Sequence, residues 1–441
     1  MKTKVYFSDE TGYLKELEPL NLEYNPNAEW RTLNIHPELK YQKIFGFGGA
    51  FTESSAVNYD KMSDENKQKV MELFFDKEKG LGYNFCRSTI NSCDFSVDEY
   101  TYIKDNDTTL ESFDISRDKQ AVIPMIKDAV NTAGEIFLFS SPWSPPAWMK
   151  DSNEMLHGGK LKKELYSVWA NYFVKFIKEY EKAGVKVSGV TVQNEPMATQ
   201  TWESCVYTID EQIVFARDFL KPAFKEAGLD DVKIMIWDHN KEHVFECAKA
   251  IKETEGAFDC IDGIAFHWYS GKHFEQLSYA HEICPQKFLV ASEFCLGFLK
   301  TSFEDALRYA TDMSGNFNNF MEATCDWNLI LDENGGPYHA RRSGCKAVIH
   351  YNTKEDKIEI MPHYYAVKHF SGFVKKDAVR LGTSSCDTDI LISAFKNESG
   401  ETVAVITSNS AKENNCILRY GDYASNITVK PKSITTIVIE D

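Results

Sequence analysis

The chain has 441 residues, 43% hydrophobic and 13% aromatic, with a formal net charge of −17. That length suits one large domain plus a smaller one, and the acidic excess argues against nucleic acid and anionic membrane surfaces as partners. Eleven cysteines without a CxxC pair, no apolar leader and no 18-residue apolar run lead us to expect a cytoplasmic protein with no integral membrane segment.

Residues 1–40 carry two short strand patterns, 4–7 and 13–20, and a turn at Asn25-Pro26-Asn27. From residue 43 a strand runs into the glycine-rich bend G-F-G-G-A-F-T-E-S-S-A at 46–56. Its glycine spacing is not the G-x-G-x-x-G of a dinucleotide fold. Ser63 predicts the N-cap of a helix reaching residue 79. Strands and helices then alternate. Further strands are predicted over 83–89, 135–140, 187–193, 233–237, 261–266, 287–292 and 320–325. Helices are predicted over 117–130, bent by Pro124, and over 161–182, 209–226, 241–251, 274–280, 302–312 and 362–373. Thr301 and Glu304 stand at capping-box spacing. A short strand pair is predicted at 346–351 and 357–360.

Eight strand–helix units predict an α/β fold, a (β/α)8 TIM barrel. An open doubly wound sheet fits less well, because polar and aromatic residues mark nearly every strand end and not one switch point. After residue 376 the helical pattern stops. Strand patterns at 389–395, 402–407, 417–420, 427–430 and 434–439 predict an all-β side domain, completed by the other chain terminus. The expected division is 1–40 and 376–441 for the side domain and 41–375 for the barrel.

The stretch V-T-V-Q-N-E-P-M at 190–197 ends a buried strand on Asn194 and Glu195, and the seventh strand ends on Glu293. In a closed barrel both carboxylates share the C-terminal rim, where barrel enzymes hold their chemistry. Glycoside hydrolysis uses such a pair, one acid for the leaving oxygen and one carboxylate across the sugar. Trp143, Trp202, Trp237, Trp268, Tyr269 and Trp327 offer faces on which a sugar can stack. Asp94, Asn194, Asp238 and Asn328 offer partners for hydroxyls. For any one tryptophan, barrel packing is nearly as good a reading; for the whole set it is not. His239, His243 and His267 are the only metal candidates, with no H-E-x-x-H. Neither a metal nor a cofactor is predicted. No G-x-S-x-G occurs, and Ser292 precedes a better nucleophile.

Several stretches, in chain order, resemble glycoside hydrolase family 30, in its glucosylceramidase-like branch. They are the bend at 46–56, R-S-T-I-N-S-C-D-F-S at 87–96, S-P-W-S-P-P-A-W-M-K at 141–150, T-V-Q-N-E-P at 191–196, H-W-Y at 267–269, A-S-E at 291–293 and D-W-N-L at 326–329. The resemblance implies a (β/α)8 barrel with a β side domain built from both termini. It implies a retaining, exo-acting β-glycosidase with Glu195 as acid/base and Glu293 as nucleophile. Asn194 matches a contact to the 2-hydroxyl. Asp94, Trp143 and Trp327 match the glucose subsite, and Arg87 and Tyr269 match residues that hydrogen-bond the nucleophile. Trp202, Trp237 and His267 are expected at the substrate, with Asp238 and Asn328 in support. The substrate is then a β-glycoside, a glucoside first and a β-xyloside, β-fucoside or β-1,6-glucan as alternatives. A catalytically inactive carbohydrate-binding barrel is the remaining reading. After Pro196 the sequence M-A-T-Q-T-W-E-S-C-V-Y-T departs from the animal lysosomal branch, which puts the difference at the aglycone.

Overall fold

The computed structural model describes residues 1–297 and 300–440. Eight parallel strands close into a barrel: β1 (Gly46–Phe51), β2 (Phe85–Ile90), β3 (Phe137–Pro142), β4 (Gly189–Thr191), β5 (Lys233–Asn240), β6 (Gly263–His267), β7 (Phe288–Glu293) and β8 (Ala323–Asp326). Phe85, Phe139, Met235, Ala265, Val290, Ala323 and Cys325 fill the interior, with Phe45, Phe137 and Phe288 against them. The glycines of β1 answer to this crowding. A Cβ on Gly48 would lie 1.5 Å from the Phe85 carbonyl oxygen, so only glycine lets β1 lie against β2 there.

Several elements differ from expectation for local reasons. The helix placed at 117–130 is Val122–Ala133. Pro124 therefore sits in the first turn, where a missing N–H has no intrahelical acceptor to lose and no bend follows. The cap expected from Thr301 and Glu304 is one residue further on. Ser302 is the N-cap, and its N–H donates to Asp305 Oδ2 at 3.3 Å. Strand β4 has only three regular residues, so Glu195 stands four residues beyond it and not at its last position.

The side domain is one ten-stranded sheet drawn from both termini. Lys2–Asp9 pairs with Ser433–Glu440 along seven residues, which joins the two ends of the chain. Two of its strands carry no clear sequence pattern, Thr32–Lys43 and Val379–Ser385. They pair with each other through two register breaks, and such breaks erase the period-two signal. One face of the sheet encloses Leu33, Ile35, Leu381, Ile392, Ile406, Leu418 and Ile437. Phe395, Val403, Val405 and Ile434 face the other way and join the core of the barrel. There they meet helices Phe303–Asn318 and Pro362–Ser371.

Candidate active site

Two bulges shape the rim. Against β6, strand β5 carries Asp238 as an extra residue and β7 carries Ser292. A bulge interrupts alternation and re-aims side chains. Here the Ser292 hydroxyl donates to Asp238 Oδ1 at 2.5 Å. Backbone strain concentrates at the same rim. Glu195 (φ 44°), Trp237 (φ 77°), Asp238 (φ 51°) and Asn328 (φ 62°) all occupy the left-handed region, which is rare outside glycine and recurs at functional sites. The Glu195 N–H donates to the Asp238 carbonyl at 2.9 Å, coupling two of these positions.

Arg87, fully buried on β2, is the hub. Its Nη1 donates to Glu293 Oε2 at 2.7 Å, its Nη2 to Asn194 Oδ1 and to Asp238 Oδ2, both at 2.8 Å, and its Nε to Ser141 Oγ at 3.0 Å. Because Arg87 has only donors, the Asn194 carbonyl must face it, which leaves the amide NH2 for a ligand hydroxyl. Tyr269 donates to the other Glu293 oxygen at 2.7 Å. Both oxygens of Glu293 are thus oriented from opposite sides.

Asp238 also accepts from Thr191 (2.6 Å), Ser141 (3.0 Å) and His267 Nε2 (3.0 Å). Burial alone would raise its pKa. The Arg87 charge, His267 and Ser292 outweigh burial and hold it well below the usual carboxylate range. His267 lies between Asp238 and Glu195, with Nδ1 3.2 Å from Glu195 Oε1. Burial opposes its charge, yet Glu293, Asp238 and Glu195 raise its pKa to about 9. The imidazolium in turn lowers Glu195: burial pushes that carboxyl up, and the His267 hydrogen bond and charge, with His239 and Gln200, bring it below its ordinary value. Gln200 Nε2 donates to Glu195 Oε2 at 3.4 Å.

One oxygen of Glu195 and one of Glu293 lie within 4.8 Å of each other, with a nitrogen of His267 at the same range from both. These three are ligand-like in spacing, but both His267 nitrogens already face carboxylates and the ring carries its proton. No imidazole lone pair remains for an ion. His239 and His243 do not share a helix face either; one lies in the last residues of β5 and the other closes a 3-10 turn.

The aromatic residues divide. Trp143 and Trp327 stack with centroids 5.0 Å apart and planes at 18°, and the Arg87 guanidinium lies 4.6 Å from the Trp143 ring. Trp202 packs on this cluster. Trp237, expected at the substrate, is fully buried in the barrel core, with its indole N–H donating to the Asn240 carbonyl at 2.8 Å. Trp268 is also core, stacked on Phe294. Trp268 also meets Tyr309 of the helix Phe303–Asn318 with centroids 5.1 Å apart, and Trp237 meets the rings of His239 and His243. Asn328 is likewise buried, and its Oδ1 accepts from Thr52 at 2.7 Å, so it does not reach a ligand hydroxyl through that oxygen. Asp94 precedes Phe95, whose ring meets Trp327 edge-on with centroids 6.0 Å apart. Burial raises it to about 7 against the opposing charge of Arg341, whose Nη1 donates to Asp94 Oδ2 at 2.5 Å.

Sequence reading missed Ser141, Thr191 and Ser292, the hydroxyls around Asp238. All three lie inside quoted motifs, but nothing in a lone hydroxyl marks it as facing a buried carboxylate. It also missed Gln200 and Arg341, which lie in loops without periodicity.

The Glycosyl hydrolase family 30 TIM-barrel domain matches residues 44–374, and the family's beta sandwich domain matches residues 377–437. The chain belongs to glycosyl hydrolase family 30. It is 32% identical over 431 residues to putative glucosylceramidase 3 of Caenorhabditis elegans, covering 92% of this chain and 82% of that protein. Among solved structures, SrfJ from Salmonella typhimurium is similar over the whole length of both chains, with 33% identity and a TM-score of 0.95. An endo-beta1,6-glucanase is similar over 100% of this chain and 99% of its own, with 28% identity and a TM-score of 0.87. This family 30 member is a glycoside hydrolase acting on a glycoside, and no helix among its described residues is long and apolar enough to cross a membrane.

Proposed function

We propose that this family 30 enzyme is a retaining, exo-acting β-glycosidase that removes a terminal β-linked glucose by double displacement. The observation that carries this reading is the separation of the two carboxyl groups, with oxygens within 4.8 Å. Retaining enzymes hold theirs about 5–5.5 Å apart, and inverting enzymes need roughly 6.5–9.5 Å to admit a water.

Glu293, aimed by Arg87 and Tyr269, attacks the anomeric carbon. The bond to the leaving oxygen breaks, and that oxygen takes a proton from Glu195. Water then attacks the glycosyl-enzyme, gives a proton to Glu195, and Glu293 leaves as carboxylate. Asn194, held by Arg87, donates to the 2-hydroxyl. Asp94, Trp143 and Trp327 line the donor sugar, and every group these steps require is on the chain. Glu195 and His267 share one proton between them; before substrate binds it rests on the imidazole. A sugar that excludes water strengthens the burial that already favours the neutral carboxyl, which moves the proton toward Glu195.

Similarity to a protein named glucosylceramidase supports the glucose donor. A second reading, the same chemistry on a β-1,6-linked glucan, is supported by the similarity to the endo-beta1,6-glucanase. A panel of nitrophenyl β-glycosides tests both. The glucoside is expected to be turned over fastest, ahead of the xyloside and fucoside. Inactivity of folded enzyme on every β-glycoside would overturn the proposal.

A further inference from the structure

Glu195 meets a protein group at each of its oxygens. His267, wholly buried, faces Oε1 at 3.2 Å. Gln200 Nε2 stands 3.4 Å from Oε2. An ionised carboxylate only accepts, so the amide nitrogen of Gln200 and not its oxygen faces Glu195. At 3.4 Å the bond is long for N–H···O, and the second amide hydrogen remains. The Gln200 side-chain oxygen has no protein partner among the described residues and is not buried. Gln200 thus keeps a free donor and a free acceptor beside the proton donor of the reaction.

The loop that carries Gln200 is fixed from two sides. On the side of the segment after β3, the Gln200 N–H donates to Ser204 Oγ at 3.2 Å, and the His157 N–H donates to the Gln200 backbone carbonyl at 2.9 Å. The Gly158 N–H also donates to Ser204 Oγ, at 2.9 Å. Lys150, fully buried, donates to the carbonyls of Met155 (3.1 Å) and Ser204 (2.7 Å). A buried ammonium is costly, and this one fastens the loop. On the side of the segment after β8, Thr201 donates to the Ala340 carbonyl at 2.8 Å, and His339 Nε2 meets Glu203 Oε1 at 2.9 Å. The backbone under Gln200 is therefore set before any ligand arrives, which lowers the ordering cost of binding.

A β-glycosidase places its leaving group beside the proton donor. His267 fills the approach to Oε1, so the leaving group comes to Oε2, next to the Gln200 amide. We propose that Gln200 is a specificity-determining residue on the leaving-group side: its carboxamide binds a hydroxyl of the aglycone, so that a second sugar and not an alkyl chain is the preferred leaving group. This rests on the retaining-glycosidase reading, with Glu195 as proton donor. An alkyl chain in this place strips water from the amide and gives no bond in return. A sugar carries hydroxyls close to the linkage that pair with it. A site built to hydrogen-bond a hydroxyl discriminates against an analogue that lacks one.

The test compares wild type, Gln200→Met and Gln200→Ala on 1,4- and 1,6-linked β-diglucosides and on octyl β-glucoside, with released glucose measured. All these leaving groups are alcohols that need a proton, so a disturbance of Glu195 alone lowers every rate alike. Each protein is first titrated with a 2-fluoro β-glucoside bearing a dinitrophenyl leaving group, so that full labelling at Glu293 certifies an assembled donor site. Wild type is expected to show a higher kcat/KM on at least one diglucoside than on octyl glucoside. In both variants kcat/KM on that diglucoside is expected to fall about tenfold further than on octyl glucoside, the equivalent of one lost hydrogen bond. Equal losses on the two kinds of substrate would make Gln200 a support for Glu195 alone and overturn the inference. An undiminished rate on the diglucoside overturns it too, as does a fully labelled wild type that prefers octyl glucoside or leaves both diglucosides intact. Wild type that turns over glucosides without label at Glu293 overturns the retaining reading and takes this one with it.

Discussion

Glu195 stands next to a cation that works against its proton. With His267 charged up to about pH 9, the Glu195 carboxyl ionises below its ordinary range in the free enzyme, and the alkaline limb of kcat/KM is set by this pair. Replacing His267 by Asn removes the cation. The shared proton then sits on a lone carboxyl and not on an imidazolium, so the limb is predicted to move to lower pH, read from kcat/KM profiles between pH 4 and 10. A limb that stays in place would show that His267 does not set the acidity of Glu195. Glu195→Gln is predicted to lower kcat on an unactivated glucoside by about 10²–10⁴-fold. The effect should be much smaller for glycosylation by a dinitrophenyl glucoside, whose leaving group needs no proton, and an equal loss on both substrates would contradict the acid role.

At the level of elements, the strand ends do what periodicity alone does not announce. The carboxylates and the motifs around them are legible in sequence because they end apolar runs: Glu293 closes β7, and Asn194 with Glu195 follows β4. The bulges at Asp238 and Ser292 are not legible, since an extra residue leaves no mark in a short apolar run. Yet those bulges bring Asp238 into contact with Ser292. Trp237 shows the opposite failure. Its place at a strand end suggested a sugar platform, while its left-handed backbone sends the indole into the core. Trp237→Ala is accordingly predicted to cost about 3–5 kcal/mol of stability, measured by urea unfolding at neutral pH. A variant of wild-type stability with only a raised KM would return Trp237 to the substrate. Arg341 had no sequence signal at all, because its partners Asp94 and Trp202 lie far away in the chain, on two other loops.

At the scale of the whole molecule, the barrel and the sheet share one apolar seam and one buried histidine. His369 is held by Ser8 (2.7 Å) and Thr436 (2.8 Å), one from each end of the chain. Burial lowers its pKa to about 3 from a model-peptide value of 6.5. Below pH 6.5 the unfolded ring binds a proton that the folded ring refuses, so its contribution to stability is full above that pH and is lost as pH falls toward 3. The stability difference between wild type and His369→Gln is predicted to shrink by about 1.4 kcal/mol per pH unit between pH 6 and 5. A difference that does not vary with pH would mean that His369 is charged in the fold. That both termini build the side domain was legible from strand patterns at the two ends. The strand Thr32–Lys43 was not, because Pro37 and two register breaks interrupt its alternation.

All three scales converge on the pair Glu195 and Glu293, and trapping tests that pair most directly. The enzyme is incubated with a 2-fluoro β-glucoside bearing a dinitrophenyl leaving group, digested, and mapped by mass spectrometry. The account predicts one equivalent of label, on the peptide containing Glu293. No covalent label on enzyme that turns over glucosides, or label on a peptide without Glu293, would contradict it.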